Sequence, residues 1–307
     1  MIKENLVKNK LFNGTQINYG LFSSKKPRWS LSTMDETEAF STKIFKTLGE
    51  NNVLLLDDSN QQSAAKGTID VNEPSSKKVI APQLSPGFDL LAGMSIDSGN
   101  IIQNEQCLKL NVFVPEAVAE QPNQLLPVMV WIHGGGFQIG SGSLPFYDGQ
   151  KLANKANAIV VSINYRLGAL GFLRLCDISD GEIRSTGNEG LEDQITALKW
   201  INRHITQYGG NKDNVTLFGE SAGAMSIACL LATTKSKGLF HKAILQSGAG
   251  HTYSSIEKAN EVAAEFVNSA KALGYTLEDL PTLTTEQILA IQKHFLARPE
   301  IYKRFGM

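Results

Sequence analysis

The hydrophobic pattern of this 307-residue chain changes at about residue 80. Beyond that point, short and largely apolar runs lie at 110–114, 127–132, 158–164, 214–218 and 243–246. Runs of this length and character are typical of strands that are buried on both faces of a sheet. The first 80 residues are instead rich in Ser, Lys and Asn, with only scattered apolar clusters. We therefore predict a weakly defined N-terminal segment over 1–80 and a folded domain over 81–307.

Helical spacing separates the predicted strands. Apolar residues recur at steps of three and four between Leu191 and Tyr208, which predicts an amphipathic helix. Asn188 is a candidate cap at the start of this helix, and Gly209 is a candidate stop. Further helices are predicted over 222–232, 256–273 and 284–295. Strands that alternate with helices predict an α/β domain with a mainly parallel sheet.

Composition narrows the function without specifying it. The formal net charge of −1 gives no electrostatic case for binding nucleic acid or an anionic membrane surface. We see no metal-ligand spacing and no phosphate-binding loop, so we predict neither a metal nor another cofactor. No apolar run approaches the ~18 residues of a membrane span, and the N-terminus lacks the apolar core of a secretory signal. These observations favour a cytoplasmic protein.

The three cysteines are expected to be reduced thiols. Cys107, Cys176 and Cys229 are an odd number and lie far apart in the sequence. Cys229 lies four residues after Met225 on a predicted helix, so we expect it to be buried. A reduced state agrees with the expected cytoplasmic location.

Two glycine-rich sequences suggest acyl-transfer chemistry. Gly219-Glu220-Ser221-Ala222-Gly223 follows the predicted strand 214–218 and precedes a predicted helix, the context in which a turn exposes a nucleophilic serine. His133-Gly134-Gly135-Gly136-Phe137 follows another strand, and its backbone amides are candidates to stabilise an oxyanion. Two ordinary glycine-rich turns are the alternative, which the pairing of both sequences in the required contexts disfavours. Right-handed crossovers would place Ser221 at the carboxyl edge of the sheet.

The sequence resembles the type-B carboxylesterases, the family that includes cholinesterases and bacterial carboxylesterases. The resemblance extends over about residues 80–295. It rests on the stretches 86–88, 105–112, 130–142, 164–172, 187–194, 218–223 and 243–248, which occur in the family's order. It implies an α/β-hydrolase fold, of which residues 81–307 would form an incomplete N-terminal part. It also implies a hydrolase of small carboxylic esters.

The resemblance implies roles for individual residues. Ser221 is the expected nucleophile, and the backbone amides of Gly135, Gly136 and Ala222 are the expected oxyanion hole. Glu220 is expected either at the floor of the active-site gorge or as a brace for the serine turn. His133 is expected to shape the glycine loop without accepting the proton of the serine.

The rest of the catalytic machinery is not recognisable. In this fold the acid and the histidine follow the nucleophile in the chain, and residues 222–307 contain neither of the family's motifs. We expect both the acid and the histidine on a segment beyond residue 307. Without that segment, the 307-residue chain would be nearly inactive. Among the later histidines only His251, near the sheet's carboxyl edge, is worth testing as a base, because His241 and His294 are expected at the surface and on a helix.

Because the acid and histidine motifs are not recognisable, three alternatives remain for the function. The chain is a serine esterase that needs a further segment, a non-catalytic binding protein of the same fold, or an incomplete product without independent function.

The aromatic residue that cradles choline in relatives is absent from Ala92-Gly93-Met94-Ser95. We therefore expect uncharged esters of short to medium acyl chains as substrates.

Overall fold

The computed structural model describes residues 16–18, 28–29, 45–47, 53–55, 78–84, 101–115, 124–250 and 253–305. Its strands are β1 (Gln16–Asn18), β2 (Phe45–Thr47), β3 (Val53–Leu55), β4 (Lys78–Ile80), β5 (Ile101–Gln103), β6 (Lys109–Phe113), β7 (Leu126–Ile132), β8 (Ile159–Ile163), β9 (Gly210–Glu220) and β10 (Lys242–Gln246). Its α-helices are α1 (Gln150–Ala156), α2 (Gly168–Phe172), α3 (Glu189–His204), α4 (Ala222–Ala232), α5 (Ile256–Ala272), α6 (Thr285–Leu296) and α7 (Pro299–Phe305). Short 3₁₀ helices cover Pro145–Tyr147, Ile205–Tyr208 and Thr234–Ser236.

A six-stranded sheet organises the described chain, in the order β1-β6-β8-β7-β9-β10. The strands β8, β7, β9 and β10 run parallel, whereas β6 is antiparallel to β8 and β1 is antiparallel to β6. The prediction of a mainly parallel sheet is therefore confirmed. Since β9 ends at Glu220, Ser221 lies at the carboxyl edge of this sheet, as predicted.

The helices largely follow the hydrophobic pattern. The helix α4 spans the predicted residues, and α5 ends two residues before Gly274, whose φ of 85° suits a glycine. Thr284 is the N-cap of α6 and forms a capping box with Gln287. The Thr284 hydroxyl accepts a hydrogen bond from the Gln287 amide, and the Gln287 side chain accepts one from the Thr284 amide. Asn188 occupies the N-cap position of α3, as predicted, but its side chain makes no capping hydrogen bond.

The carboxylate of Glu189, the first residue of α3, binds the segment that leads into the helix. It accepts hydrogen bonds from the backbone amides of Thr186 (2.7 Å) and Gly187 (3.0 Å) and from the Thr186 hydroxyl (2.8 Å). A buried carboxylate so close to a helix start is stabilised by these donors and by the helix dipole. Burial nevertheless raises the pKa of Glu189.

The described residues form two large hydrophobic clusters and a third, small one around Phe113. The first lies between the sheet and helices α3 and α4, and it uses the apolar runs of β6, β7, β8 and β9. The second joins α2 and the following loop to α5, α6 and α7, and it also contains Trp29. Trp29 is 1% exposed and donates a hydrogen bond from Nε1 to the Ala169 carbonyl at 2.9 Å. A residue from the polar N-terminal region therefore packs into the helical cluster.

A buried ion pair connects the end of β8 to α3. The Arg166 side chain donates to both Asp193 oxygens at 2.7 Å, and its backbone amide donates to Asp193 Oδ2 at 3.0 Å. The two side chains are 4% and 0% exposed. The Asp193 carboxylate raises the pKa of Arg166 despite burial of the guanidinium. This pair fixes the position at which the chain turns from β8 into α2.

The cysteines are free thiols in the structure. Cys107 is buried, and burial raises its pKa to about 12. Cys229 is only partly buried, so the prediction of a buried thiol at this position is wrong. Cys229 shares a side of α4 with Met225, four residues earlier, and Ala232, three residues later, and neither of these residues is buried. Within the described ranges, no helix is both long and apolar enough to cross a membrane.

Candidate active site

Ser221 occupies a sharp turn between β9 and α4. Its φ of 52° and ψ of −122° lie in a region that residues with a side chain rarely adopt. The turn is held from both sides, because the Ser221 amide donates to the Gln246 carbonyl at 2.9 Å and its carbonyl accepts from Met225 at 3.0 Å. A strained serine at a strand-to-helix turn is the backbone arrangement that exposes a hydroxyl.

The glycines on either side of Ser221 are required by packing. A Cβ on Gly223 would lie 2.0 Å from the Ile132 carbonyl oxygen, and one on Gly219 would lie 2.8 Å from the same atom. The turn therefore sits directly against the end of β7, from which the glycine loop (residues 133–141) departs. Close backbone packing brings the two glycine-rich sequences together.

The glycine loop lies beside the serine. A Cβ on Gly134 would meet Glu220 O at 2.8 Å, Glu220 Oε2 at 3.0 Å and Ser221 Cβ at 3.3 Å. Three consecutive residues then have positive φ angles, namely Gly135 (111°), Gly136 (60°) and Phe137 (61°). Gly136 is exposed, and no atom lies within 4 Å of its hypothetical Cβ. The loop thus presents exposed backbone next to Ser221.

The amide of Ala222 begins α4, so it belongs to the helix terminus whose first amides lack intrahelical partners. The positive end of the helix dipole therefore lies immediately after Ser221. The structure brings Gly134, Glu220, Ser221 and Ala222 into one small region, with Gly135 and Gly136 continuing from it. The catalytic roles of these residues stay predictions.

His133 is buried at the start of the loop. Its Nδ1 is 2.8 Å from the Gly134 carbonyl oxygen, which can only accept, so Nδ1 carries the proton. The ring stacks on Tyr165 with centroids 4.3 Å apart, and the Tyr165 hydroxyl donates to the His133 carbonyl at 2.7 Å. Burial lowers the pKa of His133 to about 4. The imidazole is therefore a weak base at neutral pH, in keeping with the expected shaping role.

Aromatic side chains line the region beside Glu220. Trp131 contacts Tyr147 and Phe218, with ring centroids 5.1 Å and 5.0 Å apart. Phe146 packs against the edge of Tyr147 and is 71% exposed. Burial and the Glu220 carboxylate raise the pKa of Tyr147, which places that phenol within electrostatic reach of Glu220. Sequence inspection missed this cluster because its members belong to separate strands and a short 3₁₀ helix.

The later histidines lie at different positions. His241 is exposed, and its Nδ1 accepts a hydrogen bond at 3.2 Å from the Val215 amide, in the middle of β9 and six residues before Ser221. His294 lies on α6, as predicted. His251, the one later histidine proposed for testing as a base, lies outside the described residues, as do residues 92–95 of the choline argument. In the described ranges no group of three or more His, Cys, Asp or Glu could hold a metal ion.

Known proteins resemble most of this chain. A model of the carboxylesterase family matches residues 60–299. The chain is 46% identical over 205 residues to para-nitrobenzyl esterase of Bacillus subtilis (strain 168), an alignment that covers 66% of this chain and 40% of that protein. It is 36% identical over 294 residues to the crystal protein of Dictyostelium discoideum, covering 86% of this chain and 50% of that one. The chain thus spans half or less of these relatives' length.

Solved structures of carboxylesterases also resemble this chain. A thermophilic PNB esterase superposes with a TM-score of 0.61 at 46% identity, over 70% of this chain and 42% of that one. The carboxylesterase EST55 of Geobacillus stearothermophilus gives a TM-score of 0.58 at 38% identity, over 65% and 41%. These carboxylesterases have the α/β-hydrolase fold, so that prediction is confirmed.

Proposed function

Because the chain belongs to the carboxylesterase family, we propose that it hydrolyses carboxylic esters through an acyl-enzyme on Ser221. The observation that carries this proposal is the strained Ser221 turn packed against the glycine loop, with Ser221 Cβ 3.3 Å from the position of a Cβ on Gly134. A serine in a strained turn beside exposed backbone amides is the arrangement expected of a nucleophile and its oxyanion hole.

The proposed reaction has two steps. Ser221 Oγ attacks the ester carbonyl carbon and loses its proton to a base, and the alcohol then leaves with that proton while an acyl bond to Oγ remains. Water attacks the acyl group in the second step, which releases the carboxylic acid and restores the Ser221 hydroxyl. The amides of Gly135, Gly136 and Ala222 would donate to the oxygen that becomes negative in each step. Each such donor is typically worth about 3 kcal/mol in the transition state.

Glu220 has a supporting role in this proposal. Its Oε2 lies near Gly134, and its charge helps to raise the pKa of Tyr147, so the carboxylate is within electrostatic reach of both the glycine loop and the aromatic cluster. The carboxylate would brace the serine turn from this position and would border the space in which an ester alcohol group sits. Its negative charge would also stabilise a protonated base next to Ser221.

The base and its acid partner belong, in this proposal, to parts of the polypeptide that the structure does not describe. Burial makes His133 a weak base, and the His241 ring is bonded to the Val215 amide in the middle of β9, away from the strand end that carries Ser221. His251 stays a candidate, and a histidine outside the 307 residues is the alternative that the catalytic order of this fold favours.

The proposed substrates are uncharged esters with short to medium acyl chains. Relatives carry the names para-nitrobenzyl esterase, cocaine esterase and cholinesterase, which differ in the ester each protein is named for. The absence of an aromatic residue from 92–95 argues against a choline ester, because a quaternary ammonium is bound by aromatic faces. A kinetic comparison of butyrate and choline esters tests this choice, and a preference for choline would overturn it.

A fluorophosphonate probe tests the reaction directly. The protein is produced from its own gene, so that the whole natural polypeptide is present, and the labelled residue is located by peptide mass spectrometry. We expect labelling at Ser221 that disappears in Ser221→Ala and persists in Ser254→Ala, a matched change at an exposed serine of the 253–255 stretch. Absence of labelling in the wild type would reject the esterase and favour the non-catalytic alternative.

A further inference from the structure

Two glutamine side chains hold the glycine loop at separate points. Gln83 is 3% exposed and comes from the short segment after β4. Its Oε1 accepts a hydrogen bond from the Gly140 amide at 2.8 Å, and its Nε2 donates to the Gly140 carbonyl at 3.1 Å and to the Ala81 carbonyl at 3.0 Å. One carboxamide thus pairs with both backbone groups of Gly140, as a neighbouring β-strand would.

Gln292 holds the loop at a second point. It is 5% exposed and lies on α6, among apolar residues of the second hydrophobic cluster. Its Oε1 accepts from the Ala169 amide and its Nε2 donates to Gln138 Oε1, both at 2.8 Å. The neighbouring Gly168 amide donates to the Phe137 carbonyl at 2.8 Å. The helix α6 is therefore connected to the glycine loop both directly and through the start of α2.

The loop needs such support because its backbone is unfavourable in isolation. Phe137 has a φ of 61°, which costs a residue with a side chain roughly 1–2 kcal/mol. Gly135 and Gly136 are free to adopt many other conformations, so nothing in their own chemistry selects the one observed. Strained conformations of this kind persist only where surrounding contacts over-determine them.

We propose that Gln83 and Gln292 are positioning residues that hold the amides of Gly135 and Gly136 in place for catalysis. This inference rests on the proposed ester hydrolysis. Neither side chain is required to touch the substrate, since each acts through the backbone of the loop. An oxyanion hole contributes mainly in the transition state, so its misplacement lowers kcat and leaves KM nearly unchanged.

Gln83→Glu provides a test that depends on pH. When the introduced carboxyl group is protonated, it can accept from the Gly140 amide and donate from its hydroxyl to a carbonyl. When it is ionised, it would face the Gly140 and Ala81 carbonyls with a negative charge. We expect the ratio of variant to wild-type kcat to fall at least tenfold between pH 5.5 and pH 9. Gln207→Glu, at an exposed position of a 3₁₀ helix remote in sequence from the loop, should show a constant ratio near one.

Gln292 is tested by loss and rescue. Gln292→Leu keeps a similar size but removes both hydrogen bonds, and we expect kcat to fall roughly ten- to a hundredfold with KM within about twofold. Gln292→Glu should recover most of kcat, since it still accepts from Ala169 and can accept from a rotated Gln138 amide. A role limited to filling the core would reverse this order, because leucine would then be the better tolerated residue.

Hydrogen exchange separates failure of this inference from failure of the proposed function. We expect faster exchange of amides 134–140 in Gln83→Glu at pH 8 and in Gln292→Leu, with β7 and β9 unchanged. Wild-type protein without esterase activity would reject the proposed function, and exchange would still decide whether the glutamines hold the loop. Unchanged exchange in both variants would overturn the inference, as would kcat values equal to that of Gln207→Glu.

Discussion

The Ser221 turn and the glycine loop adjoin each other but depend on different parts of the sequence. The turn is fixed by its immediate neighbours, since Gly219 and Gly223 allow it to pack on the Ile132 carbonyl. The loop is fixed by residues far away in the chain, including Gln83, Tyr165 and Gln292. One half of the candidate site is therefore encoded locally, and the other half depends on the completed tertiary structure.

The largest effect is expected from removing remote support. Arg166→Met would leave the Asp193 carboxylate buried without its partner, and such a loss typically costs about 3–5 kcal/mol. Asp193 lies on α3, whereas Arg166 leads into the turn whose Gly168 amide contacts the glycine loop. Urea unfolding should show the loss, measured as the free energy of unfolding.

Arg304→Met is the matched control, because the Arg304–Glu261 pair is about half exposed on both sides. Exposed pairs contribute about 0–1 kcal/mol, so this variant should unfold close to the wild type. The double variant Arg166→Met/Asp193→Leu should recover much of the stability lost in Arg166→Met. Equal effects of Arg166→Met and Arg304→Met would contradict the assigned importance of the buried pair.

A smaller but still large effect is expected from the local half of the site. A Cβ on Gly223 would lie 2.0 Å from the Ile132 carbonyl oxygen, and backbone on both sides cannot yield easily. We expect Gly223→Ala to destabilise the protein by about 3 kcal/mol. Gly136→Ala meets no atom within 4 Å and has only its φ of 60° to oppose it, so we expect about 1 kcal/mol. Urea unfolding of the two variants side by side measures the difference, and equal losses would show that the turn does not depend on close packing at Gly223.

The difference between the locally encoded Ser221 turn and the remotely supported glycine loop also explains which features the sequence could predict. Strands and helices were predictable because continuous apolar runs and three-to-four spacing reflect burial directly, as for α4 and β7. The position of Ser221 was predictable because a turn of this kind needs glycines at fixed spacing. Gln83 and Gln292 carried no such local signal, apart from a polar residue between Ile291 and Phe295 on an otherwise apolar helix face. Their partners become evident only when distant segments meet.

A pH-dependent effect is expected from His133. Burial lowers its pKa in the folded protein to about 4, below the usual value of about 6.5 that applies after unfolding. Between these values the unfolded chain binds more protons, so the stabilisation is complete above about pH 6.5 and is lost as the pH falls toward 4. The histidine should account for about 2 kcal/mol of lost stability at pH 5.

Chemical unfolding of wild type and His133→Asn at pH 7 and pH 5 measures this contribution. The variant should lose less stability than the wild type over that interval, whatever its stability at pH 7. Carboxylates titrate in both proteins, so the difference between the two pH dependences isolates the imidazole. Parallel pH dependences would show that His133 is as easily protonated in the folded protein as in the unfolded chain.

The smallest expected effect is a difference in the rates at which the three thiols react with iodoacetamide. Cys107 is buried with a pKa of about 12, because desolvation and the nearby Asp193 carboxylate both disfavour its thiolate. Cys176 and Cys229 are more accessible, although burial also raises their pKa values. At pH 8 we expect iodoacetamide to modify Cys176 and Cys229 at least tenfold faster than Cys107. Rapid modification of Cys107 in folded wild-type protein would show that the remote support of the glycine loop is less rigid than its buried contacts indicate.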